Sequence, residues 1–190
     1  MFGANELRRA LDVLGRILED RGYSSEIVLI GGGALLLQGW ITRPTKDLDA
    51  LAVVDHGTYR SAKPFPALLQ EAIEDTAPVV GMEPHWLNAG PTAQLDYDLP
   101  EGFRDRTTKV QFHALVIQLA GRFDLICLKL YAAADHDRRS KHVADLIALA
   151  PEPDEFARAA IWVKRQDAGP EFASFVDAVI SHVEAARGPR

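Results

Sequence analysis

Leu7, Leu11, Leu14, Ile17 and Leu18 return every three or four positions until Gly22 interrupts them, which predicts an amphipathic helix over about residues 5–21. Residues 26–30, apolar after Glu26, predict a strand, and Ala34–Gly39 a short helix. Residues 48–54 are apolar almost throughout, as in a strand buried on both faces. A helix over 66–76 follows. Residues 78–108 carry many Pro and Gly with little periodicity, so they read as irregular chain or short strands. Val110, Phe112, Ala114 and Val116 alternate with their neighbours and predict one strand over 110–119. From Arg122 onward the spacing predicts helices over about 122–134, 140–150, 154–166 and 170–186, with Pro151 and Pro153 between the second and third. Asp154 is the expected N-cap of the third, with Glu155 in its first turn. Strands early and helices late predict an α/β (α+β) chain. Its core spans residues 1–121, and a helical part, 122–190, packs on the same unit as one domain overall.

Composition adds bounds. The chain has 190 residues, 47% hydrophobic and 25% charged, enough for one globular core. A net charge of −6 gives no support to a strongly basic nucleic-acid binder, although a local basic patch stays open. Cys127 is the single cysteine and lies in an apolar helical stretch, so it reads as core packing. That excludes an internal disulfide framework and points to a reducing cytoplasm. The first 22 residues are charged and amphipathic, without the apolar centre of a signal peptide. No run approaches the length of a membrane span, so a cytoplasmic protein without a membrane partner is expected.

The candidate chemistry lies in residues 28–54, VLIGGGALLLQGWITRPTKDLDALAVV. Residues i and i+2 of a strand share a face, so Asp47 and Asp49 project side by side while Leu48 turns into the core. Two such carboxylates repel each other unless a cation sits between them. They make a hard-oxygen platform for Mg²⁺ or Mn²⁺, which keeps waters and bridges substrate phosphates. Gly31, Gly32 and Gly33 let backbone approach a triphosphate closely at the opening of a helix. Alone, Asp47 and Asp49 also read as a solvated strand edge or turn. Order and spacing sharpen the signal: strand, glycine triplet, two helical turns, then the carboxylate pair opening a second strand.

Ile30, Gly31, Gly32, Gly33, Ala34 and Leu35, then Gly39, Arg43, Thr45, Asp47 and Asp49, together resemble the minimal nucleotidyltransferases of the polymerase-beta-like superfamily. More narrowly, they resemble the AbiEii-like group, which includes toxins of type IV toxin–antitoxin systems. The resemblance implies a nucleotidyltransferase-like fold, a small mixed sheet flanked by helices with a helical C-terminal half. It implies transfer of a nucleoside monophosphate from an NTP to a hydroxyl, on the 3′ end of tRNA or on a protein, with an antitoxin as partner. In this reading Asp47 and Asp49 hold the metal, and the glycines cradle the β- and γ-phosphates. Thr45 donates to a phosphate or orients the pair, and Arg43 or Lys46 neutralises leaving-group charge.

A second constellation follows the same resemblance. Lys129, Leu130, Tyr131 and Ala132, then Arg138 or Arg139, then Lys141, His142, Asp145 and Leu146 match the order of a group motif. Lys129 reads either as a lysine snorkelling from a helix flank or as an ammonium reaching the triphosphate, and the resemblance favours the second. His142 stands where the motif has an Asp. Asp145 fits the remaining acidic position, its alternative being an ion pair with Arg138 or Arg139. A third carboxylate is expected from a later strand beside the first pair. Asp96 and Asp98 are the candidates, their alternation placing them on one strand face. Trp86, Leu87 and Asn88 also resemble an element of these relatives, with no mechanism attached to them and Trp86 read as a core aromatic.

Other chemistry finds little support. The histidines are scattered without metal-ligand spacing, and Asp135, His136 and Asp137 read as a solvated junction. Neither a nucleophile elbow nor a P-loop is present. Two alternatives stay open: a catalytically weak or inactive binding module on the same fold, and a small-molecule, antibiotic-modifying nucleotidyltransferase.

Overall fold

Strand β1 (Ser25–Ile30) takes the centre of a six-stranded mixed sheet because its residues are buried almost without interruption. In this computed structural model, which describes residues 1–135, 141–167 and 169–187, the chain forms two compact units, Met1–Ala120 and Gly121–Arg190. The first unit runs α1 (Ala4–Asp20), β1, α2 (Gly31–Leu37), β2 (Leu48–Asp55), β3 (Thr58–Ser61), α3 (Ala67–Val80), β4 (Leu87–Asn88), β5 (Thr108–Phe112) and β6 (Leu115–Leu119). Two 3-10 turns, Gly90–Asp96 and Arg104–Arg106, lie between β4 and β5. The sheet order is β3-β2-β1-β6-β5, with β4 added beside β2. β1 pairs parallel with β6 and antiparallel with β2, whose Asp49 lies opposite Ile30.

Helix α1 buries Leu7, Ala10, Leu11, Leu14 and Leu18 against α3, α2 and the β5–β6 pair. It ends where Gly22 takes a left-handed φ of 65°. Gln118 is the polar exception in the buried run of β6. Its Nε2 donates to Glu26 at 2.6 Å, and its Oε1 accepts from the Tyr59 hydroxyl at 2.6 Å. A buried amide is tolerated on such terms, with both ends satisfied.

The second unit contains α4 (Arg122–Asp135), α5 (Lys141–Leu149), α6 (Pro153–Gln166) and α7 (Pro170–Arg187). Helix α4 touches the other three, and nine of its residues, from Asp124 to Ala134, are buried. A helix apolar nearly all round belongs at the centre of a bundle. Arg122 opens α4 with a two-pronged pair to Glu155, Nε to Oε1 at 3.2 Å and Nη2 to Oε2 at 2.9 Å. Its Nη1 also donates to the Leu149 carbonyl at 2.8 Å, tying α4 to α5 and α6.

The helices stand close to their predicted places. Several details differ. Residues 110–119 form part of a hairpin rather than one strand, because His113 takes a φ of 51° and turns the chain between β5 and β6. β3 and β4 were not readable as separate strands. Helix α3 continues through Pro78 to Val80, and a left-handed Gly81 ends it. The N-cap of α6 is Glu152 rather than Asp154; the Glu152 backbone N–H donates to Glu155 at 2.9 Å. Arg138, Arg139, His136 and Asp137 lie outside the described residues. Among the described residues no helix is long and apolar enough to cross a membrane.

Glu155 gives a pH prediction. Burial alone would raise its carboxyl, but the hydrogen bonds from Arg122 and from the Glu152 N–H, with the Arg122 charge, hold it below its ordinary value. A carboxyl lowered in the folded state contributes stability that is complete above its unfolded pKa of about 4.3. That contribution is lost as pH falls through the lower folded value. Urea midpoints of wild type and Glu155→Gln will therefore differ most at neutral pH and converge below about pH 4.

Candidate active site

Three elements of the first unit meet at the start of β2. The first is the turn from β1 into α2. All three glycines of the triplet belong to α2, one turn earlier than its apolar residues suggested. Gly31 has a φ of 78°, which a side chain rarely tolerates. A Cβ at Gly31 would also collide with the carboxylate of Asp49. A Cβ at Gly33 would strike the Leu48 side chain and come within 3.2 Å of the Asp47 carbonyl. Gly32 faces the other way, its missing Cβ 3.4 Å from Nη2 of Arg43 and 3.8 Å from the Thr45 hydroxyl. The triplet is thus packed along the carboxylate strand on one side and against Arg43 and Thr45 on the other.

The second element is the Thr-Arg-Pro-Thr-Lys loop, residues 42–46. Thr45 is buried and its hydroxyl donates to the Asp47 carbonyl at 3.2 Å. Its backbone pairs with Phe2, N–H to carbonyl in both directions, at 2.6 and 3.1 Å. Arg43 donates to the Pro44 carbonyl at 3.3 Å, and Lys46 is exposed. This bracing fixes where Asp47 leaves the loop. Leu48 then buries completely, and Asp47 and Asp49 remain partly exposed on either side of it.

The third element was legible only as a fragment. β4 pairs in parallel with β2, so Leu87 lies opposite Leu48 and Asn88 opposite Asp49. The Asn88 amide nitrogen donates to Asp47 Oδ2 at 3.4 Å and to Asp49 Oδ1 at 3.3 Å. Both carboxylates therefore turn toward the same amide, as their i, i+2 spacing predicts. Trp86 anchors this short strand. Its indole N–H reaches the Ile73 carbonyl at 3.2 Å, and its own carbonyl accepts from the Leu48 N–H at 2.6 Å.

The strand expected to carry Asp96 and Asp98 is absent. Asp96 ends the 3-10 turn Gly90–Asp96 and Asp98 follows it, so the two do not share a strand face. Pro91 at the start of that segment favours a tight turn over a ladder. The turn nevertheless packs on β2, through the Thr92 hydroxyl and the Leu51 carbonyl at 2.9 Å.

In the second unit the structure joins Lys129 and Asp145. The ammonium lies 2.6 Å from Oδ2, and the two side chains are only 5% and 2% exposed. The carboxylate is therefore engaged with Lys129 itself, on the neighbouring helix. His142 opens α5 beside it in sequence, one turn before Asp145.

The acidic groups that the first unit brings together at this turn are the pair Asp47 and Asp49. Among the described residues no group of three or more His, Cys, Asp or Glu could hold a metal ion. Two carboxylates beside a backbone with no side chains suit a hard cation that completes its shell with water and phosphate oxygens.

Residues 6–149 match the model of a family described as "Nucleotidyltransferase of unknown function (DUF6036)", and the chain belongs to that family. The match takes in the glycine turn, the carboxylate pair, Lys129 and Asp145. No curated protein and no solved structure matches the chain.

Two measurements test this geometry. Gly31→Ala will destabilise by about 1–3 kcal/mol, read from urea unfolding, since it combines a forced positive φ with a displaced Asp49. Gly39→Ala is its control: the φ there is 75° with nothing within 4 Å of the added Cβ, so only the backbone cost of about 1 kcal/mol remains. Lys129→Met will cost about 3–5 kcal/mol by removing the cation paired with a buried carboxylate, and Lys129→Met/Asp145→Leu will recover most of it.

Proposed function

We propose that this member of a nucleotidyltransferase family uses a divalent metal, Mg²⁺ or Mn²⁺, to move a nucleoside monophosphate from an NTP to a hydroxyl acceptor. The observation that carries the reading is the convergence of Asp47, Asp49 and the Gly31 turn, packed so closely that a methyl group would displace a carboxylate. Asp47 and Asp49 would hold the cation, which when bound supplies charge stabilisation at the transferring phosphoryl group. The chain supplies position and further charge. The glycine triplet keeps side chains away from the phosphates. Arg43 and Lys46 add positive charge on the loop that enters the site, toward a leaving pyrophosphate. The Thr45 hydroxyl braces the Asp47 backbone and so aims the pair. The hydroxyl attacks the α-phosphorus in line and its proton leaves to solvent, while the bond to pyrophosphate breaks.

Lys129 is the proposed triphosphate cation on the strength of the motif order in the sequence. Its ammonium lies 2.6 Å from the Asp145 carboxylate, which orients it. Lys129→Met/Asp145→Leu separates this role from stability, since it restores folding without restoring transfer.

The order of motifs supports the narrower AbiEii-like assignment, with tRNA 3′ ends as acceptor and a cognate antitoxin as protein partner. A second reading has one observation behind it. The place beside Asp49 holds Asn88 rather than an acid, which favours a module that binds nucleotide with little turnover.

The test incubates purified protein with divalent metal, total tRNA and each α-labelled NTP, beside Asp47→Ala/Asp49→Ala. Label entering RNA with wild type alone is the expected result, with the double variant at background. A folded wild type that is thermally stabilised by Mg²⁺ and NTP, yet labels nothing, moves the protein to the binding module.

A further inference from the structure

The two carboxylates that open β2 face an uncharged group. Asn88 sits directly across from Asp49 on the parallel neighbour β4. Its amide nitrogen has two protons and three acceptors in reach: Asp47 Oδ2 at 3.4 Å, Asp49 Oδ1 at 3.3 Å and the Leu48 carbonyl at 3.2 Å. The other end of the amide is fixed independently. Asn88 Oδ1 accepts from the Gly90 backbone N–H at 2.8 Å. A backbone N–H can only donate, so the oxygen must face Gly90 and the NH₂ must face the carboxylates. The scaffold beneath is rigid. Trp86 is 1% and Leu87 3% exposed, and the Trp86 indole is bonded to α3.

We propose that Asn88 is a positioning residue for the carboxylate pair: held by β4 with its NH₂ between Asp47 and Asp49, it sets their spacing and limits the site to one divalent cation by occupying the place of a third acid. This rests on the metal-binding reading above. Two like charges at i, i+2 drive each other apart unless something positive stands between them. The positive end of an amide dipole does so weakly, through long shared hydrogen bonds. An aspartate at position 88 would reverse the effect. It would add a third negative charge to the metal-free site and a third hard oxygen to the metal-bound one.

The test uses the full chain and Mn²⁺ as probe. Free Mn²⁺ is counted by electron paramagnetic resonance, and melting temperature is read in EDTA and in Mn²⁺. Wild type should bind one Mn²⁺ per chain. Asn88→Asp should melt about 3 °C lower in EDTA, yet bind Mn²⁺ about tenfold more tightly or take up a second ion. Asn88→Ala should lose stability in EDTA and gain no affinity. In an Asp47→Asn/Asp49→Asn background, Asn88→Asp should cost almost nothing in EDTA, since the charges it opposes are gone. A merely structural Asn88 would give equal melting losses in both backgrounds and unchanged Mn²⁺ affinity, and that result overturns the proposal. Failure of the underlying reading is separate: a wild type that binds no Mn²⁺ removes the single-ion claim, while the cycle in EDTA still decides whether Asn88 couples to the pair.

Discussion

The contact between the β1–α2 turn and the first residues of β2 is the constraint on which the candidate site depends. Ile30 and Asp49 are register partners in an antiparallel ladder, so the chain leaving β1 must pass over the residues flanking Leu48. No Cβ fits there at Gly31 or Gly33. The glycines therefore have two connected consequences. They permit the turn to exist, and they leave backbone rather than side chain lining one side of the carboxylate pair. A phosphate-binding role and a packing requirement select the same residues, which is why the glycine triplet cannot be credited to either one alone.

The same strand is held from its other edge. β4 contributes only two residues, yet Trp86, Leu87 and Asn88 perform three tasks in succession. Trp86 fastens the segment to α3, Leu87 fills the core opposite Leu48, and Asn88 meets both acids. Add the Phe2–Thr45 bridge and the Thr45 hydroxyl, and the loop into Asp47 is fixed by hydrogen bonds that do not pass through a carboxylate. Backbone and hydroxyl bonds thus hold the loop, and the Asn88 amide meets the acids that it delivers.

Legibility followed the strength of the local pattern. The carboxylates, the buried Leu48 between them and the glycine turn were readable because period two and an uninterrupted apolar run are strong local signals. The long helices were readable for the same reason. The hairpin in residues 108–119 was not, because its turn uses His113 at positive φ where Gly or Asn-Gly would announce it. Asp96 and Asp98 misled because alternation over three residues, next to Pro91 and Pro100, is equally compatible with a tight turn. Asn88 was visible as part of a fragment but not as a partner of the acids. A two-residue strand has no period, and its parallel pairing with β2 depends on α3 carrying the chain back across the sheet. Arg138 and Arg139, the expected alternative partners of Asp145, lie outside the described residues; its contact with Lys129 on the preceding helix is set by helix packing rather than by spacing.

The two acidic sites of this chain show what the partner's charge decides. Asp145 meets the Lys129 ammonium at 2.6 Å in a buried place. Burial makes the loss of either member costly. Asp47 and Asp49 meet an amide at 3.3–3.4 Å in a partly exposed place. The amide orders them through long bonds that are cheap to exchange. In the metal-binding reading proposed above, an incoming divalent cation has to displace the Asn88 amide at this pair, whereas at Asp145 it would have to displace a lysine at 2.6 Å.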